Sequence, residues 1–90
     1  MRVIISEFME ESAVVSLAAR FDVHHDATLV DNIDALKVLL ADADALIVRN
    51  RTKVDAALLA SAPKLKVVGR LGVGLDNIDV KSCIERGIEV

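Results

Sequence analysis

Two short stretches concentrate the residues that could do chemistry. Arg49-Asn50-Arg51-Thr52 follows the apolar run Ala45 to Val48, and Gly69-Arg70-Leu71-Gly72-Val73-Gly74 follows Lys66-Val67-Val68. A guanidinium presents a planar fork of N–H donors that matches carboxylate, phosphate or sulfonate oxygens, and glycines let backbone N–H groups approach the same anion with no Cβ in the way. Arg49 or Arg51 with Arg70, together with the backbone of Gly72, Val73 and Gly74, therefore reads as an anion site. The alternative folds the arginines back on nearby acids and leaves the glycines to the turn. Charge favours the site: residues 1–48 carry net −6, residues 49–70 net +5 and residues 71–90 net −2, so a basic stretch lies hidden in an overall −3. Lys53, Lys64 and Lys66 are expected to be solvated.

Other motifs are weaker. Gly72-Val73-Gly74 starts like a dinucleotide fingerprint, but Asn77 stands where the third glycine of GxGxxG would permit close helix packing, and Asp76-Asn77-Ile78-Asp79 reads as a turn and a helix cap. A Mg²⁺-dependent phosphoacceptor site needs clustered carboxylates, whereas the third strand here ends in Arg49. His24 and His25 are adjacent, so a strand points them to opposite faces and they cannot share a metal as an i, i+4 pair can. Cys83 has no neighbouring histidine and reads as a small buried hydrophobe.

These residues are positioned by an alternating pattern. Arg2 to Ile5 is a β-branched strand; Glu7 to Arg20 has the three- and four-residue apolar spacing of a helix; and Phe21 to His25 alternates like a half-buried edge strand. Asn32 caps a helix from Ile33 to Leu40, Ala45 to Val48 is a buried parallel strand, and Thr52 is expected to cap a helix from Val54 to Ser61 that Pro63 stops. Lys66 to Gly69 is a fourth strand. Asp79 caps a helix ended by Gly87, and Ile88-Glu89-Val90 begins a fifth strand. Such alternation implies right-handed crossovers and an α/β, flavodoxin-like, doubly wound parallel sheet of about five strands in the order 2-1-3-4-5, with helices on both faces. In such sheets ligands bind beyond the carboxyl ends of the strands, where Ser6-Glu7, Arg49 to Thr52 and Gly69 to Gly74 all lie.

With 90 residues, 53% of them hydrophobic, the chain supports one modest core, since domains of this size bury somewhat over ~60% of the surface their unfolded form exposes. Phe8 and Phe21 are the only aromatics, which removes stacking platforms, and the net charge of −3 argues against a nucleic-acid partner. No apolar run approaches the ~18 residues of a membrane span, and the single cysteine and unremarkable N-terminus point to the cytoplasm.

The segments Val48 to Asp55, Ala62 to Val80 and Arg86-Gly87-Ile88, taken together at this spacing, resemble the N-terminal part of the NAD-dependent D-2-hydroxyacid dehydrogenases, in their phosphoglycerate dehydrogenase-like form. The resemblance spans the chain, and its specific part is Ala45 to Val90. It implies that residues 1–90 are the substrate-binding lobe of a larger two-domain enzyme, lacking the Rossmann nucleotide domain. It assigns Arg49 to substrate binding, Arg70 to an additional anionic group, and Gly72, Val73 and Gly74 to backbone contacts with the substrate carboxylate. Asn77 and Asp79 are expected to shape the loop and cap the helix. Asn50 stands where serine is more usual. The implied partners are a small anionic 2-hydroxy or 2-oxo acid, NAD or NADP held by a domain outside these residues, and a second copy in a homodimer. The GxGxxG loop and the catalytic histidine, acid and arginine are expected beyond Val90, so the 90 residues alone are expected to be inactive. A returning C-terminal helix of the parent chain is expected to cover an apolar patch. Two alternatives from other classes are a stand-alone anion-binding or regulatory module and an assembly domain that pairs with another copy.

Overall fold

In the computed structural model, which describes residues 1–90, four strands of four residues each lie side by side. They are β1 (Arg2–Ile5), β2 (Asp22–His25), β3 (Ala45–Val48) and β4 (Val67–Arg70), all parallel and ordered β2-β1-β3-β4. The register sets Val3 beside Ala45, Ile4 beside Leu46 and Leu46 beside Val68. Because strand side chains alternate between faces, this register sorts the core into two clusters. Ile4, Leu46, Val48 and Val68 enter a 16-residue cluster with Leu36, Leu40, Leu58, Leu59 and Cys83. Val3, Ile5 and Ala45 enter a smaller one with Met9, against which the half-buried Val14 and Leu17 pack.

The helices divide accordingly. Helices α2 (Ile33–Leu40), α3 (Ala56–Ala60) and α4 (Val80–Glu85) cover the first face, whereas α1 (Glu11–Ala18) alone covers the second. Ile47, Val67 and Leu71, on the thinly covered face, stay only half-buried. None of these helices is long and apolar enough to cross a membrane.

The fifth strand is represented by its first bridge. Glu89 pairs parallel with Val67, its N–H donating to the Lys66 carbonyl at 2.9 Å while its own carbonyl accepts from Val68 at 2.8 Å. Its place beside β4 is the fifth position of the order 2-1-3-4-5. Helix ends follow the sequence signals closely at α2 and α4: Asn32 accepts from the Ala35 N–H, Asp79 accepts from the N–H and hydroxyl of Ser82, and Gly87 ends α4 with φ +71°. There the Ile88 N–H reaches back to the Cys83 carbonyl and the Gly87 N–H to that of Ile84, the pairing of a Schellman motif.

Two expectations need correction. Helix α1 begins at Glu11 rather than Glu7, because Glu7 turns toward β3 and Ser6 to Met9 are buried apart from Phe8. Thr52 is not the cap of α3. Its side chain is fully buried and its hydroxyl pairs with Ser6 Oγ at 2.9 Å, while Asp55 accepts from the Leu58 N–H at 2.9 Å and caps a helix that starts at Ala56. Val54 is extended between them, donating to the Asn77 carbonyl and accepting from the Asp79 N–H. Urea denaturation of Asp55→Ala is therefore expected to show a loss of about 1 kcal/mol, the usual cost of removing an N-cap. A neutral Asp55→Ala would return the cap to Thr52.

Candidate functional site

The carboxyl ends of β1, β3 and β4 meet at one rim, and a single acid organises it. Glu7, buried just after β1, accepts hydrogen bonds from three backbone N–H groups of the loop after β3: Arg49 at 2.6 Å, Arg51 at 3.0 Å and Thr52 at 3.0 Å. Burial pushes the Glu7 carboxyl up, but the amides of Thr52, Arg49 and Arg51 and the Thr52 hydroxyl together draw it below the usual range. His25 sits against the same residue, its Nε2 lying 3.0 Å from the Glu7 carbonyl. Its neighbour His24 is likewise only half-buried on the edge strand.

The loop's carbonyls are held from the opposite side. Asn77 Nδ2 donates to the Arg49 carbonyl at 2.7 Å and to the Thr52 carbonyl at 2.8 Å, and its Oδ1 accepts from Arg70 Nε at 2.9 Å. Arg70 Nη1 in turn donates to the Val73 carbonyl at 2.7 Å. One continuous network thus joins Glu7, the 49–52 loop, Asn77, Arg70 and the glycine loop.

This network sets where each expected residue stands. Arg49 is exposed, its guanidinium 5.8 Å from the centre of the Phe8 ring, a ring that is itself 63% exposed. Arg49 lines a depression of about 190 Å³ with Glu7, Phe8, Asn50 and Arg51. Arg70 lines the neighbouring cleft of about 660 Å³ with Asn50, Arg51, Lys53, Asp76 and Asn77. The two arginines therefore share a rim but not a single cavity, and Asn50 and Arg51 form the wall between. Arg51 itself pairs with Asp31 at 2.6 Å, but both side chains are mostly exposed, so the pair contributes only ~0–1 kcal/mol and yields readily to another anion.

Gly72, Val73 and Gly74 line neither depression and stand out in solvent, Val73 at 95% exposure. Their three successive N–H groups donate to nothing within the chain. The conformation depends on glycine, since φ is +112° at Gly72 and +86° at Gly74, and a Cβ on Gly72 would come within 3.1 Å of Arg70 Nη1. Of the arginines, Arg51 folds back on an acid, Asp31, whereas Arg70 pairs with no acid: it reaches the Asn77 amide and the Val73 carbonyl through Nε and Nη1, and Nη2 makes no hydrogen bond in the chain. Cys83 is buried in the main cluster, with burial first and the Asp79 charge second pushing its thiol up, which suits packing rather than reactivity.

Sequence reasoning did not pick out Glu7 or Asn77 as organisers. The available signals were the place of Ser6-Glu7 at a strand end and the turn character of Asp76-Asn77. Glu7 also makes a prediction. Because its carboxyl lies lower in the folded state, the stabilisation is fully present above the unfolded glutamate value, near ~4.3, and is lost as pH falls through the folded value. Glu7→Gln, which turns an amide NH₂ toward loop donors, is expected to cost about 1–3 kcal/mol at pH 7. The gap to the unaltered protein should begin to narrow as pH falls below the unfolded glutamate value and close only below the lower folded one, as measured by denaturation at a series of pH values. A gap independent of pH would show that charge on Glu7 is irrelevant.

Comparison with known proteins gives this arrangement its context. The sequence is 58% identical over 88 residues to a protein named (S)-sulfolactate dehydrogenase from Chromohalobacter salexigens, covering 98% of this chain and 28% of that one. It is 47% identical over 90 residues to a D-3-phosphoglycerate dehydrogenase of Mycobacterium leprae, covering 98% of this chain and 16% of that one. The fold superposes with a TM-score of 0.72 and 25% identity on the NAD⁺-bound 3-phosphoglycerate dehydrogenase of Entamoeba histolytica, covering 98% of this chain and 31% of that one. The chain thus spans less than a third of the length of each. Residues 3–90 match the family described as D-isomer specific 2-hydroxyacid dehydrogenase, catalytic domain, and the chain belongs to that family.

Proposed function

We propose that residues 1–90 form the substrate-binding lobe of a two-domain, nicotinamide-dependent dehydrogenase that interconverts a D-2-hydroxy acid and a 2-oxo acid. The observation that carries this reading is the run of three N–H groups at Gly72, Val73 and Gly74 with no partner in the chain, beside Arg70 and at the same rim as Arg49. A run of successive backbone N–H groups left without partners can receive a carboxylate without any side chain. On this reading the carboxylate lies on Val73 and Gly74, Arg49 grips the substrate, and Arg70 faces a second anionic group where the substrate has one.

The family's chemistry supplies the rest of the proposal. NAD or NADP accepts the hydride, and a nucleotide-binding domain outside these residues holds the nicotinamide against the substrate carbon. On this reading the rim residues bind and orient the substrate, and a group of the other domain takes the hydroxyl proton. Closure of the two lobes over the 660 Å³ cleft would exclude water. The half-buried Ile47, Val67 and Leu71 offer the apolar face on which a returning helix of the parent chain would pack. A cytoplasmic homodimer belongs to the same reading.

In the polypeptide that carries both lobes, Arg49→Ala is expected to lower kcat/KM at least ~10-fold through loss of a charge-assisted contact. Steady-state kinetics check this, and unchanged kinetics would remove Arg49 from the site. Calorimetry on purified residues 1–90 is expected to show no heat of NAD binding, because the anion site is built for a small acid. Micromolar affinity of the isolated chain for a 2-hydroxy acid without NAD would instead favour a self-contained anion-binding module.

A further inference from the structure

We propose that Asn77 is a positioning residue that couples the two arginines of the site and sets preference for substrates carrying a second anionic group. The inference rests on the function proposed above and assigns a role to a residue expected only to shape a turn. The carboxamide makes three hydrogen bonds facing the site: Oδ1 accepts from Arg70 Nε, and Nδ2 donates to the carbonyls of Arg49 and Thr52. Its orientation is unambiguous. The flipped amide would set NH₂ against the Arg70 N–H and oxygen against two carbonyls.

Two consequences follow from these three bonds. The Arg70 guanidinium is fixed at Nε by Asn77 and at Nη1 by the Val73 carbonyl, so the planar group is held in one orientation with Nη2 left without a partner in the chain. The Arg49 backbone is fixed by the same amide, so the separation of the two cationic groups is set by one side chain. Holding both before the ligand arrives removes ordering cost from binding, which benefits most the ligand that uses both. A substrate with only a carboxylate engages the loop N–H groups and gains little from Arg70. Only a side-chain carboxamide offers this set, and that of glutamine stands one methylene further out: aspartate lacks the two donors, serine lacks the reach, and leucine has the shape but no polar atom.

The test uses the two-lobed polypeptide with three probes: 3-phosphoglycerate, 3-sulfolactate and glycerate, the last being the same hydroxy acid without the second anion. Asn77→Ala keeps the net charge unchanged. It is expected to raise KM for the two doubly anionic acids ~10-fold with kcat within about threefold, and to leave kcat/KM for glycerate within about threefold. In an Arg70→Ala background, adding Asn77→Ala is expected to change KM for the doubly anionic acids less than about twofold, because a fixed spacing between the two cations has no value once Arg70 is gone. Equal losses on all three acids, or effects of the two substitutions that multiply independently, would overturn the coupling role. If Asn77→Ala does not fold, Asn77→Ser is judged by the same criteria. Turnover of none of the three acids by the unaltered protein would overturn the proposed function as well, whereas normal turnover with an indifferent Asn77 would overturn this inference alone.

Discussion

The candidate site depends on one buried carboxylate. The loop after β3 must leave the sheet, turn, and enter α3, and in doing so it strands backbone N–H groups at Arg49, Arg51 and Thr52 that no strand or helix can satisfy. Glu7 takes all three. An unsatisfied buried donor costs about 1–3 kcal/mol, so the loop could not hold this shape without an acceptor of this reach. The carboxylate gains as much as the loop does: a buried charge is tolerable only when its lone pairs are occupied, and here they are filled by amides rather than by a counter-ion. Its negative charge is thereby spent inward, and the adjacent rim stays free to present cations.

The opposite arrangement holds on the other side of the loop. Carbonyls need donors, and a neutral amide supplies them without bringing a charge toward the anion site. With Glu7 beneath the N–H groups and Asn77 across the carbonyls, the four residues from Arg49 to Thr52 are clamped from two strand ends. The Ser6 and Thr52 hydroxyls close the buried side of the same clamp. The long side chains of Arg49 and Arg51 retain their freedom, but their points of attachment do not move independently of Arg70.

The extent to which this was legible in the sequence follows the range of the interactions. The strand tetrads, the caps at Asn32 and Asp79 and the stop at Gly87 are local features, and each was readable from a few neighbouring residues. The cationic rim was readable because parallel order places the ends of β3 and β4 side by side. The assignment of Thr52 as a cap failed for an instructive reason. A threonine just before a helix has the right local chemistry, but its hydroxyl is claimed by Ser6, 46 residues away, and its N–H by Glu7, 45 away. The same distance hid Glu7 itself. Nothing near Glu7 in sequence distinguishes a buried clamp from the first turn of an exposed helix, and only the β1–β3 pairing brings it to the loop. Asn77 was invisible as an organiser because turn residues and network residues have the same composition.

Under the proposed function, the chemistry of the rim bears on how the work is divided between the two lobes. Its binding groups are guanidinium cations and backbone N–H donors, and neither kind changes charge near neutral pH. The two histidines line neither depression. Glu7 titrates on the acid side, and when it does, it is the loop that loosens rather than the anion receptor that changes sign. Under the proposed function, the grip on substrate is therefore constant through the neutral range, and a pH dependence of turnover near neutrality must originate in groups of the other lobe. The division is physically economical: a receptor of fixed charge orients the acid, while proton and hydride movements occur where the nicotinamide is held. On the same reading, a base placed among these cations would have its pKa pulled down, away from the range in which it could accept a proton, which favours placing the proton acceptor on the other lobe.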